Sequence, residues 1–296
     1  MALSIDGKAV IDNGGSNASQ SISLTTTKAG DLLILLVQQA QSTFPGSQSV
    51  ISDSVGLSWT LRSHIVDNST SQTRCEEWYA IWSGSGTITI TAAFQTGSAN
   101  GVIALMAFGV SGYDTSNIFD SGASSFPLSS TSPAQQASFN ASYSTKDANT
   151  LVFIFYGGNF VGAGNQQTIN TDPTYTTIET DLEANGFSTT SEYKINSSSV
   201  SGASLTAQDS TFNAFYSIIV DAIRQAVPAP PPSPTPSAPS SSKITILPKV
   251  TPQVSVPIYT AKQLIGTAHV PNGAQPNIET PVTAVAKIFK NGKYVG

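Results

Sequence analysis

The chain has 296 residues, of which 10% are charged, and it carries a formal net charge of −5. Nucleic-acid binding needs a basic patch, and the 13 Lys and Arg residues are scattered without a cluster. Neither nucleic acid nor an anionic membrane surface is therefore an expected partner. The one cysteine, Cys75, excludes an intramolecular disulfide, so stability must come from a large hydrophobic core.

The N-terminal residues lack the basic and apolar regions of a secretory signal. The most apolar run, residues 32–37, is too short to span a bilayer as a helix. We therefore expect either the mature form of a secreted protein or a protein made and assembled without crossing a membrane, and Met1 favours the second.

Helical periodicity is nearly absent, and short β-rich runs alternate with Gly, Ser, Asn and Asp. This pattern predicts an all-β fold of the β-sandwich or jelly-roll type. Residues 32–37 are all apolar, which predicts a central strand covered on both faces; residues 87–91 alternate strictly, which places Ile88 and Ile90 in a core. The predicted strands are Ser21–Thr26, Asp31–Gln38, Ser49–Ser52, Ser58–Val66, Arg74–Trp82, Thr87–Ala92, Gly101–Val110, Leu151–Tyr156, Thr174–Asp181, Ser191–Ile195, Ala203–Ala207 and Ala214–Ile223.

Residues 1–227 contain an internal repeat, with halves at about 1–112 and 113–227. Four segments match in the same order at a nearly constant offset, which indicates duplication. Trp78 aligns with Tyr193 in this comparison. The halves form either one pseudo-symmetric sandwich or two packed sandwiches, and the pattern favours neither. The matching pairs are residues 28–34 with 146–152, 59–61 with 175–178, 77–81 with 192–195, and 103–110 with 215–223.

A Pro- and Ser-rich linker at residues 228–242 follows the duplicated region. Its composition is typical of an extended polyproline II spacer. Residues 243–296 are basic, β-rich and interrupted by prolines, which predicts a small C-terminal β-rich module or an arm laid on a partner. Within it, Asn291-Gly292 between alternating apolar residues predicts a hairpin.

The sequence predicts no catalytic or cofactor-binding residues. Glu76 and Glu77 are adjacent in a strand and must point to opposite faces. Neither His64 nor His269 lies in a sequence context typical of a catalytic histidine. The Gly-x-Ser-x-Gly motif that presents a serine nucleophile is also missing. The Gly-rich run 157–164 is followed by loop-like sequence rather than by the helix that a dinucleotide site requires. A hydrolase therefore ranks below a structural or binding protein.

Two weaker candidate sites remain. Glu179, Asp181 and Glu183 recur at period 2 and could line one strand face, where a hard cation such as Ca²⁺ would relieve their repulsion; a solvated strand end is the favoured interpretation. Trp59, Trp78 and Trp82 could form a carbohydrate-stacking platform, although large aromatics in a sandwich are more often core residues. Trp78 and Trp82 share one strand face, and Tyr79 lies on the other.

Three motifs carry a family resemblance. They are Asp53-x-x-Gly56-x-x-Trp59, Glu76-x-Trp78-Tyr79-Ala80 and Gly109-Val110-Ser111-Gly112. Over residues 20–225 the chain resembles a widespread β-sandwich family of phage and prophage virion proteins and bacterial surface proteins. The resemblance implies a fold and a setting but no reaction, because the motif residues are core and turn positions.

We therefore expect a non-enzymatic virion structural protein on the particle surface: a capsid decoration protein, head fibre or tail-associated protein. Its partners would be capsid or tail-shell proteins, and by analogy it would form homo-oligomers such as trimers. The alternative is a secreted carbohydrate-binding or adhesin module on a bacterial surface that recognises host-surface glycans.

Overall fold

In the computed structural model the described part of the chain is built from β-strands and contains no helix, which confirms the all-β prediction. The chain divides into two compact units, Met1–Pro230 and Pro231–Gly296. The predicted module boundaries at 227 and 242 stay predictions. The structure describes residues 2–12, 18–40, 48–66, 73–93, 102–121, 126–131, 138–160, 173–182, 187–208, 214–226, 253–260, 263–271, 289–290 and 293–294.

The first half of the larger unit forms two antiparallel sheets. Inner sheet 1 has the strand order β1-β8-β3-β6-β5, and outer sheet 1 has the order β2-β7-β4. The strands are β1 (Ser4–Asp12), β2 (Ser19–Thr26), β3 (Asp31–Ala40), β4 (Val50–Asp53), β5 (Thr60–Val66), β6 (Thr73–Trp82), β7 (Gly86–Ala93) and β8 (Val102–Ser111).

The second half repeats this arrangement. Inner sheet 2 has the order β9-β15-β11-β13-β12, and outer sheet 2 has the order β10-β14. All twelve predicted strands form, whereas β1, β9 and β10 were not predicted. The strands are β9 (Leu128–Thr131), β10 (Ser138–Tyr143), β11 (Thr150–Phe160), β12 (Thr176–Leu182), β13 (Phe187–Asn196), β14 (Ala203–Gln208) and β15 (Ala214–Arg224).

The strand order confirms the internal duplication, and strand register corrects its alignment by one residue. Tyr79 pairs with Ile34, the fourth residue of β3, and Tyr193 pairs with Phe153, the fourth residue of β11. Both tyrosines pack against the same core. Tyr193 therefore corresponds to Tyr79 rather than to Trp78, because a shift of one residue would turn the side chain to the other face.

Three hydrophobic cores hold four layers of sheet together. The odd-numbered residues of 32–37 pack under outer sheet 1, and the even-numbered ones pack against inner sheet 2. This confirms the strand predicted to be covered on both faces. A third core lies between inner sheet 2 and outer sheet 2. The halves are thus two sandwiches packed through their five-stranded sheets. The core between the inner sheets, called the central core below, includes Leu32, Ile34, Leu36, Phe108, Leu151, Phe153, Phe155 and Ile219.

The contacts between the two inner sheets are reciprocal. Gln38 and Gly157 are each the eighth residue of their strand, and they pair with Cys75 and Thr189 respectively. Across the interface, Thr189 hydrogen-bonds to Gln38, while a Cβ added to Gly157 would lie 2.7 Å from Cys75 Sγ. Equivalent strand positions therefore meet each other, as in a two-fold symmetric dimer interface.

The C-terminal unit contains two hairpins, β16–β17 and β18–β19. In the second hairpin Lys290 pairs with Lys293, while the predicted turn residues Asn291 and Gly292 lie outside the described residues. Residues 227–252, which include the Pro-rich segment, lie outside the described residues. The strands are β16 (Gln253–Thr260), β17 (Gln263–Pro271), β18 (Phe289–Lys290) and β19 (Lys293–Tyr294).

Candidate functional site

Arg62 and Asp221 form an ion pair between the inner sheets, and the buried Glu77 carboxyl interacts electrostatically with both; we call these three residues the buried triad. Arg62 Nε donates to Asp221 Oδ2 at 2.8 Å, and Arg62 Nη2 donates to the carbonyl oxygen of Phe126 at 3.2 Å. Glu77 and Asp221 have no exposed surface. These residues are up to 159 positions apart in sequence, so the fold alone brings them together.

Burial controls the ionisation of the two carboxyl groups. Burial, followed by the charge of Asp221, raises the pKa of Glu77 well above its ordinary value, and burial also raises the pKa of Asp221 against the opposing effect of Arg62. Only one cation is present in the triad to balance two carboxylates. We therefore assign Glu77 as the neutral carboxylic acid and Asp221 as the ion paired with Arg62.

The buried triad distinguishes the two halves. Arg62 occupies a β-bulge in β5, and the matching bulge in β12 holds Ile178. Asp221 and Phe108 pair with the fourth residues of β11 and β3. The counterpart of the Arg62–Asp221 pair is therefore Ile178 with Phe108, both in the central core. Both carboxyls lie between the inner sheets, where the Arg62–Asp221 ion pair connects the two halves of the larger unit.

Glu76 points away from Glu77, as predicted for adjacent strand residues. Its carboxylate accepts the Trp78 indole N–H at 2.8 Å and the backbone N–H of Ser49 at 3.1 Å, and it lies 3.4 Å from Arg74 Nη1. Glu76 thus connects β6 to the chain entering β4.

The Asp53-x-x-Gly56-x-x-Trp59 motif is a turn clamp. The Asp53 carboxylate accepts the backbone N–H groups of Val55, Gly56 and Leu57 at 2.7–3.3 Å. It also accepts the Trp59 indole N–H at 2.9 Å. Gly56 has a φ of +80°, which explains the glycine. The motif therefore orders the chain between β4 and β5.

The three candidate tryptophans lie on the core of the first sandwich. Trp82 is 7% exposed, and Trp59 and Trp78 are half-buried against the same core. Trp78 and Trp82 share one face, and Tyr79 packs on the other, as predicted. The indole N–H groups of Trp59 and Trp78 donate to carboxylates of this chain. A glycan-binding role for these residues stays a prediction.

The predicted carboxylate row is only partly described. Glu179 lies in β12, 3.6 Å from Lys8 Nζ. Asp181 lies in the same strand, but its side chain and the whole of Glu183 fall outside the described residues. Within the described residues, no three acidic, His or Cys side chains are grouped to hold a metal ion. A cation site at Glu179, Asp181 and Glu183 stays a prediction.

The cysteine, the start of the Gly-rich run and the two histidines considered in the sequence lie in strands. Cys75 is fully buried, and burial raises the pKa of its thiol far above the ordinary value, which makes it unreactive. Gly157 and Gly158 lie within strand β11 rather than in a loop. At Gly157 the neighbouring inner sheet approaches so closely that it leaves no room for a side chain. His64 is exposed in β5, and His269 lies in β17.

A second carboxylate clamp escaped the sequence analysis. Asp6 accepts the backbone N–H groups of Thr27 and Lys28 at 2.9 and 2.8 Å. In the second half, Asp120 accepts the N–H groups of Lys146 and Asp147 at 3.0 and 3.2 Å. Each aspartate thus holds the turn that starts the central strand of its sheet. A repeated signal was present, because Ile5-Asp6-Gly7 and Phe119-Asp120-Ser121 both place Asp after a large apolar residue.

Asp31 lies beside the Asp6 clamp and is 1% exposed. Burial, followed by the nearby Asp6 carboxyl, raises the pKa of Asp31 to about 7, against the opposing charge of Lys28. Burial also acts to raise the pKa of Asp6, but the hydrogen bonds from Thr27 and Lys28 outweigh it and lower that pKa. Asp31 therefore takes up a proton at higher pH than Asp6 does.

We expect the stability of the chain to fall as pH rises from about 4 to 7 in part because of Asp31. The folded pKa of Asp31 lies above the unfolded value, so its contribution is complete below the unfolded pKa and is lost as pH rises through the folded one. Asp31→Asn should flatten this part of the slope. Urea unfolding at pH 5 and pH 8, followed by tryptophan fluorescence, compares the slopes. Asp31→Thr, which copies Thr150 at the same position of β11, should behave likewise; unchanged slopes in both variants would contradict the assignment.

Among the described residues, two cavities lie at sheet margins. One, of about 230 Å³, lies between β9, β10 and β15, where Leu128, Ala141 and Ile218 are among the lining residues. The other, of about 270 Å³, lies between β1 and β12. Both are open to solvent and are large enough for a small ring or side chain.

Comparison with protein-family models, with curated proteins and with solved structures finds no significant match. None of the described residues forms a helix that could span a membrane.

Proposed function

We propose that this chain is a non-enzymatic structural protein of the outer surface of a phage-type particle, with the two packed sandwiches projecting outward and one end attached to the particle. The resemblance of the Asp53, Glu76 and Gly109 motifs to virion and surface proteins motivates the proposal. The observation that carries it is that the hydrophobic cores lie between sheets, while the outer faces of the two outer sheets are neutral and carry hydroxyl groups.

The outer sheets present hydroxyl and amide side chains in cross-strand pairs. On outer sheet 1, Ser21 and Thr91 Oγ atoms lie 2.7 Å apart, and those of Thr25 and Thr87 lie 2.8 Å apart. On outer sheet 2, the Thr206 hydroxyl donates to Asn140 Oδ1 at 2.7 Å. Such paired polar groups keep an exposed sheet face soluble without net charge. A surface of this kind suits a protein that stands densely packed beside identical copies.

The layer arrangement supports a role as a rigid projection. The central strands of both inner sheets are covered on both faces, and the charged groups between these sheets are paired or neutral. The chain beyond residue 226 continues into a Pro-rich segment and a second compact unit. We assign particle attachment to this unit, since a short β-rich module is marginally stable alone and is stabilised by docking on another chain.

Particle association tests the proposal. The full chain and a variant lacking Pro228–Gly296 would each be co-expressed with capsid and tail proteins from the genome that encodes the chain, and the assembled particles separated on a density gradient. We expect the full chain to sediment with one class of particle and the truncated chain to stay at the top. Size-exclusion chromatography with light scattering of the unbound protein would measure the expected homo-oligomer.

The sedimentation of the two chains shows whether the C-terminal unit attaches the protein to the particle. If the truncated chain sediments with particles as well as the full chain does, the C-terminal unit is not the anchor. If the full chain binds neither capsid nor tail assemblies, the structural proposal is wrong. Binding of the free protein to a glycan array, lost on substituting Trp59 or Trp78, would instead favour the carbohydrate-binding alternative.

A further inference from the structure

The cavity between β1 and β12 has a filled counterpart on the other side of the larger unit. In the inner sheets, β1 corresponds to the segment around Phe119, because Ile5 pairs with Val110 and Phe119 pairs with Ile223. Val110 and Ile223 in turn pair with Leu32 and Leu151, the second residues of β3 and β11. Ile5 therefore occupies the position of Phe119.

At the filled position, an aromatic ring lies between a tyrosine and a cation. The Phe119 and Tyr79 rings meet edge to face with centroids 5.1 Å apart. The Arg62 guanidinium carbon lies 4.1 Å from the Phe119 ring centroid. Edge-to-face contact and cation–π attraction each stabilise such an arrangement beyond simple burial.

At the open position, the same framework lacks the ring. Tyr193 takes the place of Tyr79, Ile178 takes the place of Arg62, and Ile5 takes the place of Phe119. These three side chains line a cavity of about 270 Å³, and Lys8 is also among the lining residues. A dry cavity of about 150 Å³ accommodates benzene in a protein core, so the space suffices for one aromatic ring. A tyrosine and a cation are thus present at both positions.

From this comparison we infer that the cavity between β1 and β12 is a binding pocket for one aromatic side chain of a partner polypeptide. The partner's ring would pack on Ile5 and Ile178, meet Tyr193 at its edge and lie near the Lys8 ammonium group. In this way it would take the place that Phe119 holds in the other half. The pocket is independent of where the chain attaches to a particle, so its test is separate from that of the proposed function.

The test uses the full chain with ¹³C-labelled isoleucine methyl groups and N-acetyl-L-phenylalanine amide as the probe. We expect saturable shifts at the Ile5 and Ile178 methyl signals and none at Ile90, which lies in the first sandwich core. N-acetyl-L-leucine amide should bind about 2- to 10-fold more weakly, which corresponds to the 0.5–1.5 kcal/mol that an aromatic pair adds. Methyl β-D-glucoside should leave both methyl signals unchanged.

Two substitutions complete the test. Ile5→Phe supplies the missing ring from the chain itself and should abolish binding of the probe. Lys8→Met removes the cation together with its hydrogen bond to the Ile178 carbonyl oxygen at 2.6 Å and its ion pair with Glu179, and should weaken binding; Lys194→Met, a lysine outside the cavity, is its matched control. Any of three results would overturn the inference. These are equal affinity for the phenylalanine and leucine amides, shifts of these methyl signals by the glucoside, and an unchanged affinity for the phenylalanine amide in Lys8→Met.

Discussion

Arg62→Ala should lower the free energy of unfolding by about 3–5 kcal/mol, the usual cost of removing one partner from a buried ion pair. Asp221 is fully buried and is held by Arg62 Nε at 2.8 Å. Without the guanidinium, its negative charge would have no balancing cation among the described residues between the inner sheets. The Phe119 ring would also lose the guanidinium packed over it.

The matched control is Arg224→Ala. Both arginine side chains are 23% exposed, but the partner of Arg224, Asp147, is 33% exposed, whereas Asp221 has no exposed surface. Since surface ion pairs contribute about 0–1 kcal/mol, the control should cost far less. Urea unfolding of the full chain, followed by tryptophan fluorescence, measures both. Equal costs for the two variants would refute the importance of the buried triad.

Two further measurements test whether the uncompensated charge of Asp221 causes the loss of stability in Arg62→Ala. They are the pH dependence of this loss and the effect of a second substitution at Asp221. In Arg62→Ala the pKa of Asp221 should rise further, because burial already raises it and the opposing cation is gone. A raised folded pKa means that stability is lost as pH increases, so the deficit should be smaller at pH 4 than at pH 8. Adding Asp221→Asn removes the uncompensated charge and should recover most of the lost stability at pH 8.

Gly7→Ala should lower the free energy of unfolding by about 2–6 kcal/mol, as the sum of backbone strain and overpacking. Gly7 has a φ of +84°, and a Cβ added there would overlap the carbonyl oxygen of Thr25. Because the obstructing atom belongs to the backbone of β2, it cannot rotate away as a side chain would. The bulge of β1 between Ile5 and Lys8 depends on this close approach.

Gly30→Ala separates the two causes. Gly30 has a φ of +83°, nearly the same as Gly7, but nothing lies within 4 Å of a Cβ added to it. It should therefore show only the strain of a left-handed alanine, about 1–2 kcal/mol. Chemical denaturation of both variants gives the difference. If Gly7→Ala costs no more than Gly30→Ala, β1 does not pack on β2 as closely as described.

The strand predictions were correct because they rest on local sequence patterns. The apolar run 32–37 and the alternation at 87–91 are properties of neighbouring residues, and each implies how many faces of a strand are buried. β1 was missed for the converse reason. Asp6, Gly7 and Lys8 interrupt its alternation, since the bulge there inserts a turn-like residue into an edge strand. β9 has only four residues and pairs at a single edge.

The repeat was visible, but its register was not. A comparison of residue types matches an aromatic with an aromatic and aligns Trp78 with Tyr193. The structure shows that Tyr79 and Tyr193 share the central core, while Trp78 packs on the outer core of the first sandwich. Adjacent strand residues face opposite layers, so only the layers themselves distinguish the two alignments.

The β-strand content, the duplication and the strands buried on both faces are predictable from the chain, because they follow from short-range periodicity and composition. The packing of the two sandwiches through their five-stranded sheets is visible only in the folded protein. The tertiary structure likewise brought Arg62, Glu77 and Asp221 together, and left a space at Ile5 where its counterpart holds Phe119. Such contacts join residues more than a hundred positions apart, and their energies depend on burial and on the partner present, which no local pattern encodes.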